Sequence, residues 1–193
     1  MRTDTDAATA PLRVPTPRGG VAVIAAVSAG ALVAVGLGVF GRVHEPQFFA
    51  INVAGFSSPT AVKSWMATLS VVFALFQLGS ALVMYRLMPR GRVSAWIVPA
   101  HVWSGRLAVL ASVPVAVHCL YALGFAGSDT RVLFHSLFGC FFYGAFVTKM
   151  VLLTRKGLAG WVIPVAGGVL FFSLVYVWLT SALWFFQLNG LTL

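Results

Sequence analysis

"VPAHVWSGRLAVLASVPVAVHCLYALGF", residues 98–125, is a long apolar stretch with one arginine and no acidic residue. A helix rises 1.5 Å per residue, so about 20 residues cross a hydrocarbon layer of about 30 Å, and this stretch is long enough to do so. Lipid offers no partner to an exposed backbone N–H or C=O group, which leaves the helix as the available structure. The stretch therefore predicts a transmembrane helix.

The rest of the chain has a similar composition. Of its 193 residues 60% are hydrophobic and 9% are charged, and the mean hydropathy is +0.94. Soluble domains carry about 25% charged residues, so this composition excludes a soluble domain. Apolar runs of spanning length lie at residues 21–40, 65–87, 98–125, 132–153 and 161–186. We expect an all-α, polytopic membrane bundle of five transmembrane helices.

The N-terminal segment, residues 1–20, is rich in Thr, Ala, Pro and Arg and has no apolar period, which predicts a disordered cytoplasmic tail. The first span is longer than the apolar core of a secretory signal, about 7–15 residues, and no small-x-small cleavage site follows it. We expect this span to remain as an anchor, so that residues 21–193 form one transmembrane domain.

Basic residues are unevenly divided between the two sides of the predicted bundle. The positive-inside rule assigns the richer side to the cytoplasm. We therefore expect a multi-pass plasma-membrane protein with its N-terminus inside and its C-terminus outside. The net charge of +9 then reflects topology and not a nucleic-acid partner. The richer side holds Arg2, Arg13, Arg18, Arg86, Arg90, Arg92, Lys149, Arg155 and Lys156, and the other side holds Arg42, Lys63 and Arg131.

The connections between the spans are short, except for one. Residues 41–64 contain three Phe and an Ile, so we expect this outer loop to lie on the membrane surface or to cap the bundle. The turn between spans three and four has few residues, which predicts a tight antiparallel hairpin of these two spans.

Two histidines, His118 and His135, flank this turn at matching depths, about 6–9 Å inside the outer face. A six-coordinate b-type haem requires two neutral nitrogen ligands, apolar walls and shielding from water. We expect His118 and His135 to ligate haem b. The alternative is that each imidazole hydrogen-bonds a carbonyl or hydroxyl group across the bundle. Apolar walls are available from Phe134, Phe138, Phe141 and Phe142.

Two further residues, His101 and Arg106, lie near the cytoplasmic start of span three and are candidates for cofactor binding. The spans contain no carboxylate, so Arg106 either reaches lipid phosphates or meets an anion such as a haem propionate. His101 lies about 25 Å from His118 along the helix and would belong to a different centre. A His101 and Met150 centre is chemically possible, although Met ordinarily packs in the bundle.

Pro114 precedes His118 by one helical turn and predicts a kink in span three. Helices packed at 8–10 Å leave no room for a porphyrin, so the haem hypothesis needs the space that such a kink could open between spans three and four. Cys119 and Cys140 are interpreted as small apolar packing residues. A zinc or copper site formed by His44 and Cys119 is the alternative to a solvent-exposed His44.

Three segments carry a resemblance to known proteins: "HVWSGR" (101–106), "VHCLYALGF" (117–125) and "HSLFGCFFYGAFVTKM" (135–150). Together they resemble a family of uncharacterised actinobacterial integral membrane proteins over nearly all of the chain after the tail. More distantly, "HVWSGR" resembles a helix opening in transmembrane cytochromes b of the b-561 and ferric-reductase kind. That resemblance implies electron transfer through b haems held by paired histidines, whereas spans one, two and five here contain no histidine.

The functional hypothesis is a haem b-binding, cytochrome b-like electron-transfer protein. It would relay electrons between a quinone or other reductant and an extracytoplasmic acceptor, as a component of a membrane oxidoreductase with a redox partner protein. The alternative is a non-redox accessory subunit or small-solute carrier in which the histidines are structural. A hydrolase needs acidic residues at its site, and the spans contain none.

Overall fold

The computed structural model describes residues 17–87 and 94–193, which form helices and no strands. Five helical segments are long and apolar enough to cross a membrane, which confirms the predicted all-α transmembrane bundle. The third and fifth segments each contain a π-helical turn. The helices are α1 (Pro17–Val43), α2 (Pro59–Met84), α3 (Ile97–Val117), α4 (Thr130–Leu153), α5 (Val162–Trp178) and α6 (Trp184–Asn189). The first π-helical segment, His118–Leu123, extends α3, and the second, Leu179–Leu183, joins α5 to α6.

Two helices, α1 and α2, begin four or more residues earlier than the hydropathy predicts. The hydroxyl of Ser58 caps α2 by accepting a hydrogen bond from the Ala61 N–H at 3.1 Å, and Pro59 occupies the first turn. Both are helix-start signals, and they place the beginning of α2 six residues before the predicted span. The first helix begins at Pro17, so the last four residues of the expected tail are helical. Residues 1–16 and 88–93, with the rest of that tail and part of a predicted turn, lie outside the described residues.

The helices form a ring in which chain neighbours are not always spatial neighbours. Around the ring, α1 packs on α4, α4 on α5, α5 on α2, and α2 on α3. The ring is closed by the first π-helical segment, which extends α3 and contacts α1. Within the described residues α3 and α4 hardly approach each other along their backbones. The prediction of a tight α3–α4 hairpin is therefore wrong. The short turn joins the two helices at one end, and a gap separates them.

A close helix crossing joins α1 to α4 at two glycines, Gly30 and Gly144. A Cβ atom built on Gly144 would lie 2.5 Å from the Gly30 carbonyl oxygen and 2.8 Å from Ala34 Cβ. A Cβ atom on Gly30 would overlap the hydroxyl of Thr148. Small residues at such a crossing let two backbones approach in lipid, where packing replaces the hydrophobic effect between helices.

The loop between α1 and α2, residues 44–58, packs on the end of the bundle where α2 and α4 begin, called the loop end below. Gln47 N–H donates to the Tyr121 carbonyl at 3.3 Å, and Phe48 N–H donates to the Ala122 carbonyl at 3.1 Å. These bonds satisfy carbonyls near the end of the first π-helical segment that have no helical partner. Of the two alternatives for this loop, the structure shows the cap.

The glycine crossing generates a stability prediction. Gly30→Ala should lower the melting temperature of the detergent-purified protein, because the added methyl group overpacks the crossing at a cost of about 1–3 kcal/mol. Gly36→Ala on the same helix is the matched control, since a Cβ there meets nothing within 4 Å. It should be neutral or stabilising by up to about 1 kcal/mol. Equal melting temperatures of the two variants would contradict the close crossing.

Candidate functional site

A cavity of about 310 Å³ occupies the gap between α3 and α4, and α2 and α5 complete its walls. This volume lies at the lower end of the range for small-ligand sites, about 300–1,000 Å³. Most of the lining is apolar, with a small number of hydroxyl and basic groups. Tyr143 contributes to the wall, and its hydroxyl lies 2.9 Å from Ser112 Oγ, which bridges α4 to α3.

Both π-helical segments line this cavity. The first contributes Cys119 and Leu120, and the second contributes Thr180 and Ser181. A π-helical turn is rare and occurs often at functional sites, because it alters the direction of nearby side chains and carbonyls. Pro114 lies one turn before the first segment and has no N–H group to complete the helical ladder. This is the region where the sequence predicts that space opens between the two helices.

His135 lines the cavity from α4, and its Nδ1 lies 3.1 Å from Thr180 Oγ1. The Thr180 hydroxyl has one hydrogen, which it donates to backbone carbonyls on its own helix, with Tyr176 O at 2.9 Å. With that hydrogen on a carbonyl, the hydroxyl oxygen accepts from His135, and this arrangement places the imidazole proton on Nδ1. The lone pair is then on Nε2, which has no hydrogen bond within the described residues. An imidazole held in this way is suited to ligate a metal through its free nitrogen.

Thr180 also positions Arg131, whose Nη1 donates to the Thr180 carbonyl at 2.7 Å. The Arg131 guanidinium lies 4.0 Å from the centre of the Trp184 ring, within the range of a cation–π interaction. Lys63 of α2 lines the same cavity. The described lining residues include no Asp or Glu, so the cavity wall carries positive charge without an acidic partner.

His118, the second predicted haem ligand, is buried but does not line the cavity. Its ring packs edge-on against Phe49 of the capping loop, with ring centres 5.3 Å apart. Its nitrogens make no hydrogen bond within the described residues. The structure therefore places His118 beneath the loop and His135 on the cavity wall.

His101 belongs to a polar contact between α2 and α3. Its Nδ1 lies 2.8 Å from Ser80 Oγ, and its carbonyl accepts from the side-chain amide of Gln77. Gly105 leaves room for this amide, because a Cβ there would overlap the Gln77 side chain. His101 and Gly105 of "HVWSGR" thus both take part in the packing of α3 on α2.

The remaining predicted residues lie away from the cavity or form no cluster. Arg106 is exposed on the outside of the bundle, and its guanidinium lies 5.0 Å from the Trp103 ring centre. Met150 is also partly exposed. These positions do not bring either residue to the cavity.

The structure shows no cluster of ligands for the alternative zinc or copper site of His44 and Cys119 within the described residues. The His44 ring stacks on Phe40, with ring centres 4.9 Å apart, and its Nε2 is buried without a hydrogen-bond partner. Cys119 lines the cavity. Within residues 17–87 and 94–193, no group of three or more His, Cys, Asp or Glu residues could hold a metal ion.

Sequence reasoning missed the residues that make the cavity polar. In the sequence, Lys63 and Arg131 indicate only topology, and no motif distinguishes Thr180 and Tyr143 as candidate site residues. A usable signal was the Thr180–Ser181 pair inside an otherwise apolar span, because a hydroxyl in lipid needs a partner and often bonds across helices.

A family profile matches residues 22–193, which is nearly the whole described bundle. The chain belongs to the DUF6529 family. DUF6529 is described as a family of unknown function, so membership assigns no activity. No curated protein and no solved structure shows significant similarity to the chain.

The role of Thr180 can be tested by removing its hydroxyl. Thr180→Val should release His135 Nδ1, so that ¹⁵N NMR of histidine-labelled protein shows the Nδ1–H tautomer losing its dominance. The melting temperature should also fall, by the equivalent of about 1 kcal/mol for one interhelical hydrogen bond in a membrane.

Ser181→Ala is the matched control for this experiment. Ser181 lies in the same π-helical segment, lines the cavity, and bonds only to Val177 O of its own helix at 2.7 Å. Loss of the Ser181 hydroxyl should leave the His135 tautomer unchanged. The same tautomer shift in both variants would refute the assigned contact.

Proposed function

We propose that the protein binds haem b in the cavity between α3 and α4, with His135 as an iron ligand, and works as a membrane electron-transfer component. The observation that carries the proposal is the hydrogen bonding of the two ring nitrogens of His135. Its Nδ1 lies 3.1 Å from Thr180 Oγ1, its Nε2 makes no hydrogen bond within the described residues, and the residue lines the cavity. A ligating histidine needs this combination of one anchored and one free nitrogen.

The other cavity residues match haem in chemical type, but the cavity of about 310 Å³ is smaller than a haem, so its walls would have to separate further to admit one. Apolar side chains of four helices would contact the porphyrin, including Phe142 and Leu174, and would shield it from water. Lys63 and Arg131 would accommodate the propionates. The absence of Asp and Glu from the described lining leaves both cations free to pair with acid groups of the cofactor.

His118 would be a second iron ligand after its ring leaves Phe49, against which it packs, and turns toward the cavity, which it does not line in this structure. His101 and Arg106 are outside the proposed site, because His101 is bonded to Ser80 and Arg106 is exposed. The proposed centre is therefore a single haem near the loop end. A single centre at one end cannot connect both membrane faces, so a redox partner protein would complete the path.

When bound, the group would supply one-electron chemistry, accepting an electron from a donor and passing it to an acceptor. A quinol donor would release two electrons and two protons as it becomes quinone, so its oxidation at a single haem would take two successive one-electron transfers to the acceptor. The distribution of basic residues supports a plasma-membrane orientation with the N-terminus in the cytoplasm and the C-terminus outside. The loop end would then face outward, toward an extracytoplasmic acceptor.

The direct test is a reduced-minus-oxidised visible spectrum and a pyridine haemochrome assay on protein purified from haem-sufficient cells. Wild type should show a b-type spectrum, and His135→Ala should lose most of the bound haem because the iron loses its anchored ligand. His44→Ala is the control histidine, since His44 lies in the loop, does not line the cavity and packs on Phe40 of α1. It should keep the spectrum.

His118→Ala then decides the coordination. A change from a six-coordinate to a five-coordinate spectrum would identify His118 as the second ligand, and an unchanged spectrum would leave His135 as the protein ligand. A colourless wild type would overturn the proposal. It would favour the alternative of an accessory subunit or small-solute carrier, in which the histidines hold helices together as His101 holds α3 to α2 through Ser80.

A further inference from the structure

We infer that the loop end of the cavity is a binding site for the acid group of an amphiphile, a carboxylate or phosphate held by Lys63 and Arg131. The inference deepens the proposed function, because it concerns the same cavity, but it does not require the ligand to be haem. It names the chemical class that the cavity selects: a largely apolar molecule with an anionic end.

The two cations come from different helices and reach one cavity. Lys63 is in the second turn of α2, and Arg131 is the second residue of α4. Both helices begin at the loop end, so their N-terminal dipole ends add positive potential to the two side-chain charges. The Thr60 hydroxyl also lines the cavity beside Lys63. An acid group placed here would meet charge and hydrogen-bond donors together.

Acidic side chains do not neutralise this end of the cavity. The described residues include two acids, Glu45 and Asp129, and neither lines the cavity. The Asp129 carboxylate caps α4 by accepting from the Val132 N–H at 2.9 Å. A cation inside a membrane protein is costly unless it is solvated or paired, so an anion from outside the chain is the missing partner.

Arg131 is oriented by the protein before any ligand arrives. Its bond to the Thr180 carbonyl at 2.7 Å uses one of five N–H donors, and the Trp184 ring supports the guanidinium plane. Donors remain for a bidentate contact with a carboxylate or phosphate. Such a preoriented arginine loses little side-chain freedom when it binds an anion.

The rest of the lining explains why the ligand must be an amphiphile. Beyond the two cations the wall is mostly apolar, with hydroxyl groups such as Ser70 and Ser112 that already bond to Ala108 O and Tyr143 OH. A fully polar anion would leave this surface without a partner. A fatty acid, an anionic lipid chain or a haem with its propionates would cover it.

The experiment compares an acid with its neutral analogue in the purified full-length protein. Oleate and oleyl alcohol are titrated separately in detergent, and retention of phosphatidylglycerol and phosphatidylcholine is measured by native mass spectrometry. Wild type should bind oleate about ten-fold more tightly than oleyl alcohol, because charge-assisted hydrogen bonds act on the acid only. Lys63→Gln should reduce that preference about five-fold or more.

Arg131→Gln should reduce the preference for oleate by a similar factor. Arg131→Lys should retain part of the preference, because lysine keeps the positive charge. Lys156→Gln is the matched control, since Lys156 is exposed in the turn after α4. It should leave the preference unchanged. The oleate and phosphatidylglycerol arms separate a free carboxylate from a lipid phosphate as the source of the acid group. Melting temperatures confirm that each variant is folded.

Haem content measured in the same variants separates this inference from the proposed function. If the wild type contains no haem and Lys63→Gln loses the preference for the acid, the result would support the acid site and reject the haem centre. A haem spectrum and an acid preference that both survive the Lys63 and Arg131 substitutions would reject the acid site and keep the haem centre. Equal binding of oleate and oleyl alcohol by wild type, together with unchanged haem content in Lys63→Gln, would also reject the acid site.

Discussion

The polar organisation of the cavity depends on Thr180, which holds two residues of α4 by two different groups. Its hydroxyl is hydrogen-bonded to His135 Nδ1, with 3.1 Å between the heavy atoms, and its carbonyl accepts from Arg131 Nη1 at 2.7 Å. In lipid both contacts matter more than they would at a surface, because water is not available to replace them. The position of Thr180 in a π-helical segment brings a hydroxyl and a carbonyl of one residue to neighbouring partners.

The cavity itself follows from the partners that α3 and α4 have elsewhere. The helix α4 is drawn onto α1 by the close crossing at Gly30 and Gly144. The helix α3 is held on α2 by hydrogen bonds from Ser70 to the Ala108 carbonyl at 2.7 Å and between Ser80 and His101 at 2.8 Å. Each contact pulls one wall away from the other. A gap results between two helices that are joined by a short turn.

The four histidines illustrate how differently one residue type is used in a membrane bundle. His101 ties α2 to α3, His118 packs beneath the capping loop, and His44 stacks between aromatic rings. Among them His135 combines an anchored nitrogen with a cavity wall that also carries basic residues. This combination, and not the presence of an imidazole in a membrane, makes His135 the candidate for binding chemistry.

The sequence by itself determined the number of helices, their approximate bounds and their membrane character, because lipid imposes length and hydropathy on each helix separately. It also contained the start of α2 in Ser58 and Pro59, a local capping signal that sets the helix start before the boundary that hydropathy alone predicts. Only the tertiary structure decided that His118 and His135, though expected at matching depths, lie in different surroundings, and that Lys63 and Arg131 line one cavity. Depth follows from counting residues along a helix. The direction that a side chain faces depends on helix rotation, on the π-helical turns and on which helices pack together, and these are set by contacts between residues far apart in the chain.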